Sequence, residues 1–577
     1  MIGEAFTQGG QTQLHKFRMI KQVIGATFKV SLGIFFLSFA LLVYLEHPWQ
    51  DFWLAGVYAK AYFMSNCPSS ISSLSPSSVI YHLGDPQGYS VSDYTILHSD
   101  VVLRILDYIS FSLIKKLLQS VLIAIVGSVL VSWFWVRMGR KKQETKVLSG
   151  AHLTTPEFLR KLLKRQKLAS EITIGSVPYV LDSEMEHTLI VGTTGCGKTN
   201  AMNELLLQIR AQNGKAVIVD TTGSFVDNFY DPQTDIILNP LDQRSHPWNL
   251  WLECEEDYLF DTVAESVVPQ TSHDPFWSNA ARTVLTVAAK KLNQEKEYNM
   301  QKLLQLTLYS DLKNVHAYFK NTAASSMMDP DSEKTALSIR ATLSSAIKSF
   351  EYLDKTQGQS FSIRQWIQDA DTKGFLFLAA TPEQRSALVP LLTAWLSLAS
   401  KALMGKRSPD KVWFFVDELA SLNRLPDLSK ALAEVRKYNG CFVLGIQTLS
   451  QLDEIYGQDV SRIICGLTGT KAIFRTPDSY TAKRMSEFLG EQEVVEAQES
   501  ISFGAHQMRD GVSLSDQKRH KPLVPYSEIM KLPNLKAYLQ LPREFPITKV
   551  EFKYHQFKQK ISIADVWQVI RLYMRKH

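Results

Sequence analysis

Eight consecutive residues, Gly192, Thr193, Thr194, Gly195, Cys196, Gly197, Lys198 and Thr199, have the spacing G-x-x-x-x-G-K-[ST]. Glycines let backbone N–H groups curl around phosphate oxygens, and a following helix turns the positive end of its dipole towards the same anion. Lys198 would reach the β and γ phosphates, and the Thr199 hydroxyl would ligate magnesium. The run HTLIVG before the motif reads as a strand and NAMNELLLQIR after it as a helix, which is the order this chemistry needs. ATP and Mg2+ are therefore the expected cofactors.

Hydrolysis also requires an acidic group at the end of a neighbouring strand. Residues 411–418, KVWFFVDE, end an apolar run on Asp417, suited to the magnesium site, and Glu418, suited to activating water. Asp220, which ends KAVIVD, has no adjacent Glu and is assigned a supporting or structural role. Gln447 closes CFVLGIQ, where it can sense the γ-phosphate or position water, or simply satisfy a polar strand end.

These groups must be carried by a sheet. Further strand-like runs at residues 374–380, 441–447 and 471–476 alternate with helical stretches, which predicts an α/β fold: a parallel sheet wrapped on both faces, with the site at the strand C-termini. About 225 residues separate Gly192 from Asp417, too many for one βαβ step. Residues 251–269, 274–294, 300–309 and 333–355 have helical periodicity and few strand-like runs, predicting an all-helical insertion of about 100 residues. Between residues 282 and 355 the sequence has 11 Lys or Arg and 8 Asp or Glu, a balance that suits a solvated face better than a DNA-binding one.

Apolar residues also concentrate near the N-terminus. Residues 30–45 carry no charge, and residues 23–28 extend that run across Lys29; residues 117–136 are likewise uncharged. At about 1.5 Å rise per residue both can cross a core of about 30 Å, the first with Lys29 snorkelling. Lys16, Arg18 and Lys21 precede the first span, and Arg137, Arg140, Lys141, Lys142 and Lys146 follow the second, which predicts cytoplasmic termini and a periplasmic segment, residues 46–116. That segment contains SSISSLSPSS, residues 69–78. Ser120, Ala124, Ser128 and Ser132 recur at helical spacing, suiting close packing within or between subunits. The basic run after residue 136 suits anionic lipid head groups and serves equally as a stop-transfer flank.

Composition excludes several classes. The chain has 577 residues, 45% hydrophobic and 21% charged, too apolar for disorder as its main state. A net charge of +6 is mild for this length, so any polyanion must be met by local patches such as residues 518–521 and 553–560. Five cysteines without a C-x-x-C pair argue against a disulfide scaffold or a structural zinc site. The expected domains are 1–145 (membrane), 146–250 (first part of the nucleotide-binding domain), 251–360 (helical insertion) and 361–577 (second part with the C-terminal segment).

Several stretches together resemble the TraD-type coupling proteins of F-like conjugative type IV secretion systems. They are TQGGQ (residues 7–11), YDPQTDIILNPLDQRSHPWNLW (230–251), DPFW (274–277), VWFFVDEL (412–419), RLPDL (424–428), GIQ (445–447) and RDGVS (509–513). The resemblance implies an inner-membrane homo-hexamer whose RecA-like ATPase ring carries a helical domain. It also implies that the channel passes single-stranded DNA with its bound relaxase to the secretion machinery. Lys198, Thr199, Asp417, Glu418 and Gln447 match the family's motor residues by position. Arg475, which ends KAIFR, would be the trans-acting arginine, with Arg462 as its rival. Export of protein without DNA and a nucleotide-regulated scaffold remain alternatives. Two departures stand out: Gly223 is followed by Ser224 where the family often has Glu, and the long polar C-terminal tail is absent, the sequence ending RLYMRKH, so the chain is shortened or docking works differently.

Overall fold

A computed structural model describes residues 2–67, 78–81, 89–143, 146–270, 274–355, 359–425, 428–502 and 511–557. Most of the Ser-rich tract, Arg509, Gly490-distal residues 503–510 and the end of the chain after residue 557 lie outside them. Two compact units emerge: Met1–Lys146 with Val495–Gln517, and Val147–Val494 with Lys518–His577.

The first unit is built on two long helices, Ile2–Glu46 and Asp100–Gln143. Their stretches Phe17–Glu46 and Asp100–Met138 are each long and apolar enough to cross a membrane, with side chains left almost wholly uncovered. A shorter helix, Trp49–Ser65, follows the first. The helical second stretch begins at Asp100, so residues 100–116 of the expected intervening segment continue into the span rather than forming a loop. Lys116 makes this tolerable by pairing with Glu46, which also accepts from Ser112 Oγ at 3.0 Å. Small residues let the two helices approach: Ser31 Oγ and Ser128 Oγ are 2.5 Å apart, and a Cβ on Gly127 would lie 2.8 Å from Ile34 Cδ1. Ser120 is buried in this face, whereas Ser132 is exposed.

The second unit centres on a ten-stranded sheet. Its strands run, edge to edge, Leu153–Thr154, Ile547–Glu551, Lys536–Gln540, Thr470–Ile473, Thr188–Val191, Gly440–Ile446, Val412–Val416, Lys215–Asp220, Gly374–Ala379 and Ile236–Leu238. Seven of these, from Thr470–Ile473 to Ile236–Leu238, pair in parallel, and Lys536–Gln540 is antiparallel to both its neighbours. Parallel strands are buried on both faces, which explains their unbroken apolar runs. Val412, Phe414 and Val416 face one core while Trp413 and Phe415 face the other.

Between Leu250 and Lys355 the described residues form helices and turns without a strand. Pro275–Gln294 and Glu333–Ile347 are the longest of these helices. Two short helices, Leu312–Tyr318 and Ala323–Met327, were not anticipated. Ala281 and Val284 of helix Pro275–Gln294, and Ile339 and Leu343 of helix Glu333–Ile347, share one core with sheet residues Val217, Leu376 and Phe414. The helical part therefore packs continuously with the sheet. Helix Arg385–Gly405 is also long and apolar enough to span a membrane, yet it is largely buried in this core.

Candidate functional site

The glycine-rich loop leaves the centre of the sheet. Strand Thr188–Val191 is fully buried, and the helix Lys198–Ala211 starts directly after the loop. Gly195 and Gly197 hold φ of +74° and +120°, a backbone region closed to most side chains. Neighbouring strand ends suspend the loop: Gly192 N donates to Ile446 O at 3.1 Å, Thr193 N to Arg475 O at 2.9 Å, and Leu535 N to Cys196 O at 2.8 Å. Lys198 is buried, its Nζ donating to Gly192 O at 2.5 Å across the loop it would surrender to a phosphate.

The acidic pair arrives on the strand Val412–Val416, one strand removed from the loop. Thr199 Oγ1 donates to Asp417 Oδ1 at 3.3 Å, so the hydroxyl and carboxylate expected at a magnesium ion already meet. Close strand packing sets this position, since a Cβ on Gly445 would fall 2.0 Å from Asp417 O. Gln447 N donates to Glu418 Oε1 at 3.4 Å, and Thr194 Oγ1 donates to Gln447 Oε1 at 3.4 Å. Gln447 therefore bridges the acid and the loop. Glu418 Oε2 is buried without a hydrogen-bond partner among the described residues. A buried acceptor left unpaired costs about 1–3 kcal/mol, which a water or ligand at this point would recover.

Burial raises both carboxyls. Asp417 is raised by desolvation, against the attraction of Lys198 and with repulsion from Asp220. Glu418 is pushed up to about 7 by desolvation, with Lys198 and the Gln447 amide opposing and Asp417 adding to the rise. A carboxyl poised near neutrality with an unpartnered oxygen, beside Lys198 and the Asp417–Thr199 pair, is suited to taking a proton from water.

Asp220 takes a structural part. Its Oδ1 accepts from Thr222 N, Thr222 Oγ1 and Gly223 N, and its Oδ2 from Phe225 N and Val226 N, at 2.8–3.1 Å. It thereby satisfies the N-terminus of the helix Ser224–Phe229.

Arg475 stands two residues past the end of its strand. Strand Thr470–Ile473 is interior, because Lys536–Gln540 and Ile547–Glu551 return antiparallel and cover that side. The Arg475 backbone is tied to its own loop through Thr193. Arg475 thus follows an interior strand, and its rival Arg462 is exposed on the helix Gln458–Leu467.

The stretch 230–251, which carried the resemblance without an assigned role, has clear local work. Asn239 N donates to Ser245 Oγ at 2.9 Å, and Arg244 grips Asp242 through Nε at 3.0 Å and Nη2 at 2.7 Å. Trp248 Nε1 donates to Glu253 Oε1 at 2.9 Å, and Trp251 Nε1 to Ala289 O at 3.2 Å. This stretch is thus a joint between the sheet and the helices. Asn200, one residue beyond Thr199, clasps a segment more than 350 residues away, as described below.

Known proteins share this arrangement. The family model for the type IV secretion-system coupling protein DNA-binding domain matches residues 171–553. The coupling protein TraD of Escherichia coli (strain K12) is 32% identical over 565 residues, covering 96% of this chain and 78% of that protein. Among solved structures, the bacterial conjugative coupling protein TrwBdeltaN70 in an unbound form is 30% identical with a TM-score of 0.64, covering 72% of this chain and 95% of that one. TrwB in complex with ADP and Mg2+ is 29% identical with a TM-score of 0.64, covering 72% and 96%. Matched by one model over residues 171–553, about two thirds of its length, and by a relative along nearly its full length, the chain belongs to the coupling proteins of type IV secretion systems.

Proposed function

We propose that this chain is an inner-membrane coupling ATPase of conjugation, which hydrolyses Mg2+-ATP to drive single-stranded DNA and its bound relaxase towards the secretion apparatus. The observation that carries this reading is the meeting of Thr199, Asp417, Glu418 and Gln447 around the loop Gly192–Thr199. Lys198 neutralises phosphate charge, and Thr199 with Asp417 holds magnesium. Glu418 accepts the proton of the attacking water, and Gln447 couples its position to the loop. TrwB complexes with ADP and Mg2+ and with a non-hydrolysable ATP analogue support the cofactors. The test is whether single-stranded DNA accelerates ATP hydrolysis by the purified chain, with stimulation falling steeply as salt rises, as counterion release requires. Hydrolysis indifferent to DNA would favour protein cargo.

A base must be ionised to take a proton. Since Glu418 titrates at about 7, kcat/KM for ATP, measured with Mg2+ in excess, is expected to fall as pH drops through about 7 and to level off above it. A flat profile across that range would remove Glu418 from the role.

We further read Phe17–Glu46 and Asp100–Met138 as membrane spans with both termini cytoplasmic, and the active assembly as a homo-hexamer contacting inner-membrane secretion components. In intact cells Cys67, which is partly exposed, is then expected to react with a membrane-impermeant thiol reagent, while the buried Cys254, Cys441 and Cys465 are not. Protection of Cys67 in intact cells that ends once the membrane is opened would reverse the orientation. Basic residues flanking the spans suit anionic lipid. Arg475 acts at its own loop, and the exposed Arg462 meets the neighbouring subunit's phosphates.

A further inference from the structure

The nucleotide site has a second wall, contributed by the chain that follows the last strand. Strand Ile547–Glu551 runs antiparallel to Lys536–Gln540, so its end emerges beside the glycine-rich loop. There Phe552 N donates to Leu535 O at 2.8 Å, and Leu535 N donates to Cys196 O at 2.8 Å. Asn200, in the first turn of the helix after the loop, then straps the next residues down. Its Nδ2 donates to Lys553 O at 2.7 Å and its Oδ1 accepts from His555 N at 2.9 Å. Phe552 packs on Phe474 with ring centres 5.1 Å apart, and Phe557 on Phe229 at 5.1 Å.

Direction along the nucleotide follows from the loop. The γ-phosphate end faces Thr199, Asp417 and Glu418, on the side of strand Gly440–Ile446. The nucleoside would leave past the first helical turn, over Asn200, where Leu535 and residues 552–555 stand before the chain crosses to Phe229. That strap holds Tyr554 71% exposed although its neighbour Phe552 is buried. An ordered, uncovered aromatic at the rim of a nucleotide site is a stacking platform, since every base offers a π-face. His555 Nε2 adds a buried polar atom without a partner among the described residues.

We propose that residues 553–557, strapped by Asn200, form the base-side wall of the nucleotide site, with Tyr554 stacking on the purine of the bound nucleoside triphosphate. This rests on the reading of Gly192–Thr199 as a nucleotide site. Asn200 is a positioning residue: it touches the strap, and the strap touches the base.

The test compares Mg2+-ATP with Mg2+-tripolyphosphate, which keeps the phosphates and lacks the base, by calorimetric titration of the full chain. Tyr554→Ala is expected to weaken ATP about tenfold or more, as expected for the loss of one base–aromatic stack, while tripolyphosphate binds as before. Tyr554→Phe should retain ATP affinity, and Asn200→Ala should lose it in the same selective way. Unchanged ATP affinity in Tyr554→Ala, or equal weakening of both ligands, would overturn the wall. Tripolyphosphate binding by the wild type with no gain for ATP would also overturn it, while leaving the phosphate loop standing. Failure of the wild type to bind either ligand would overturn the nucleotide reading itself and the wall with it.

Discussion

Glu418→Gln is expected to bind ATP as the wild type does and to hydrolyse it about 10²–10⁴-fold more slowly, the range a positioned general base contributes. The amide keeps the shape of the side chain and its contact with the Gln447 backbone, so the loop and its helix stay as they are. What is lost is the ability to take the proton. Lys198→Ala is expected to fail earlier, at binding, because the ammonium buried against Gly192 O is the cation nearest the phosphates. Equilibrium binding and single-turnover hydrolysis separate the two defects. Wild-type turnover in Glu418→Gln would hand the proton to another group.

Subunit mixing is expected to distinguish the two arginines. In a ring whose sites lie between neighbours, a trans-acting arginine contributes about 10³–10⁵ in rate, and its loss can be cured by a neighbour that still carries it. Arg462→Ala mixed with Lys198→Ala should therefore regain part of the ATPase activity that neither has alone. At some interfaces an intact loop then faces an intact Arg462. Arg475→Ala mixed with Lys198→Ala should regain none, because with Arg475 acting at its own loop every site carries one of the two lesions. Recovery in the Arg475 mixture would restore that residue to the trans role and clear Arg462.

The site was legible where chemistry is local in sequence. Gly192 to Thr199 announce themselves by spacing, and Asp417 with Glu418 by standing at the end of an apolar run. Asp220 was correctly set apart because no second acid follows it. The surroundings of Arg475 were not legible, because a strand's own residues do not say whether it lies at an edge. That depends on Lys536–Gln540 and Ile547–Glu551, whose apolar runs are short and whose antiparallel return is a matter of topology. Leu312–Tyr318 and Ala323–Met327 escaped because helices of one or two turns are stabilised by their neighbours rather than by their own periodicity. Asn200 gave no signal, since its partners Lys553 and His555 lie at the far end of the sequence.

The same closure bears on the order of synthesis. Leu153–Thr154 pairs with Ile547–Glu551, and Thr548 Oγ1 donates to Thr154 O at 2.9 Å across 394 residues. The edge strand Leu153–Thr154 therefore waits for the last strand of its sheet to leave the ribosome. At about 5–20 residues per second the delay between the phosphate loop and residues 535–557 is roughly 20–70 s. The helices Ile2–Glu46 and Asp100–Gln143 leave the ribosome before the loop does. Until the final strands arrive, Leu535 cannot bond Cys196 and one flank of the loop stays open. The phosphate loop is thus made long before the flank that closes it.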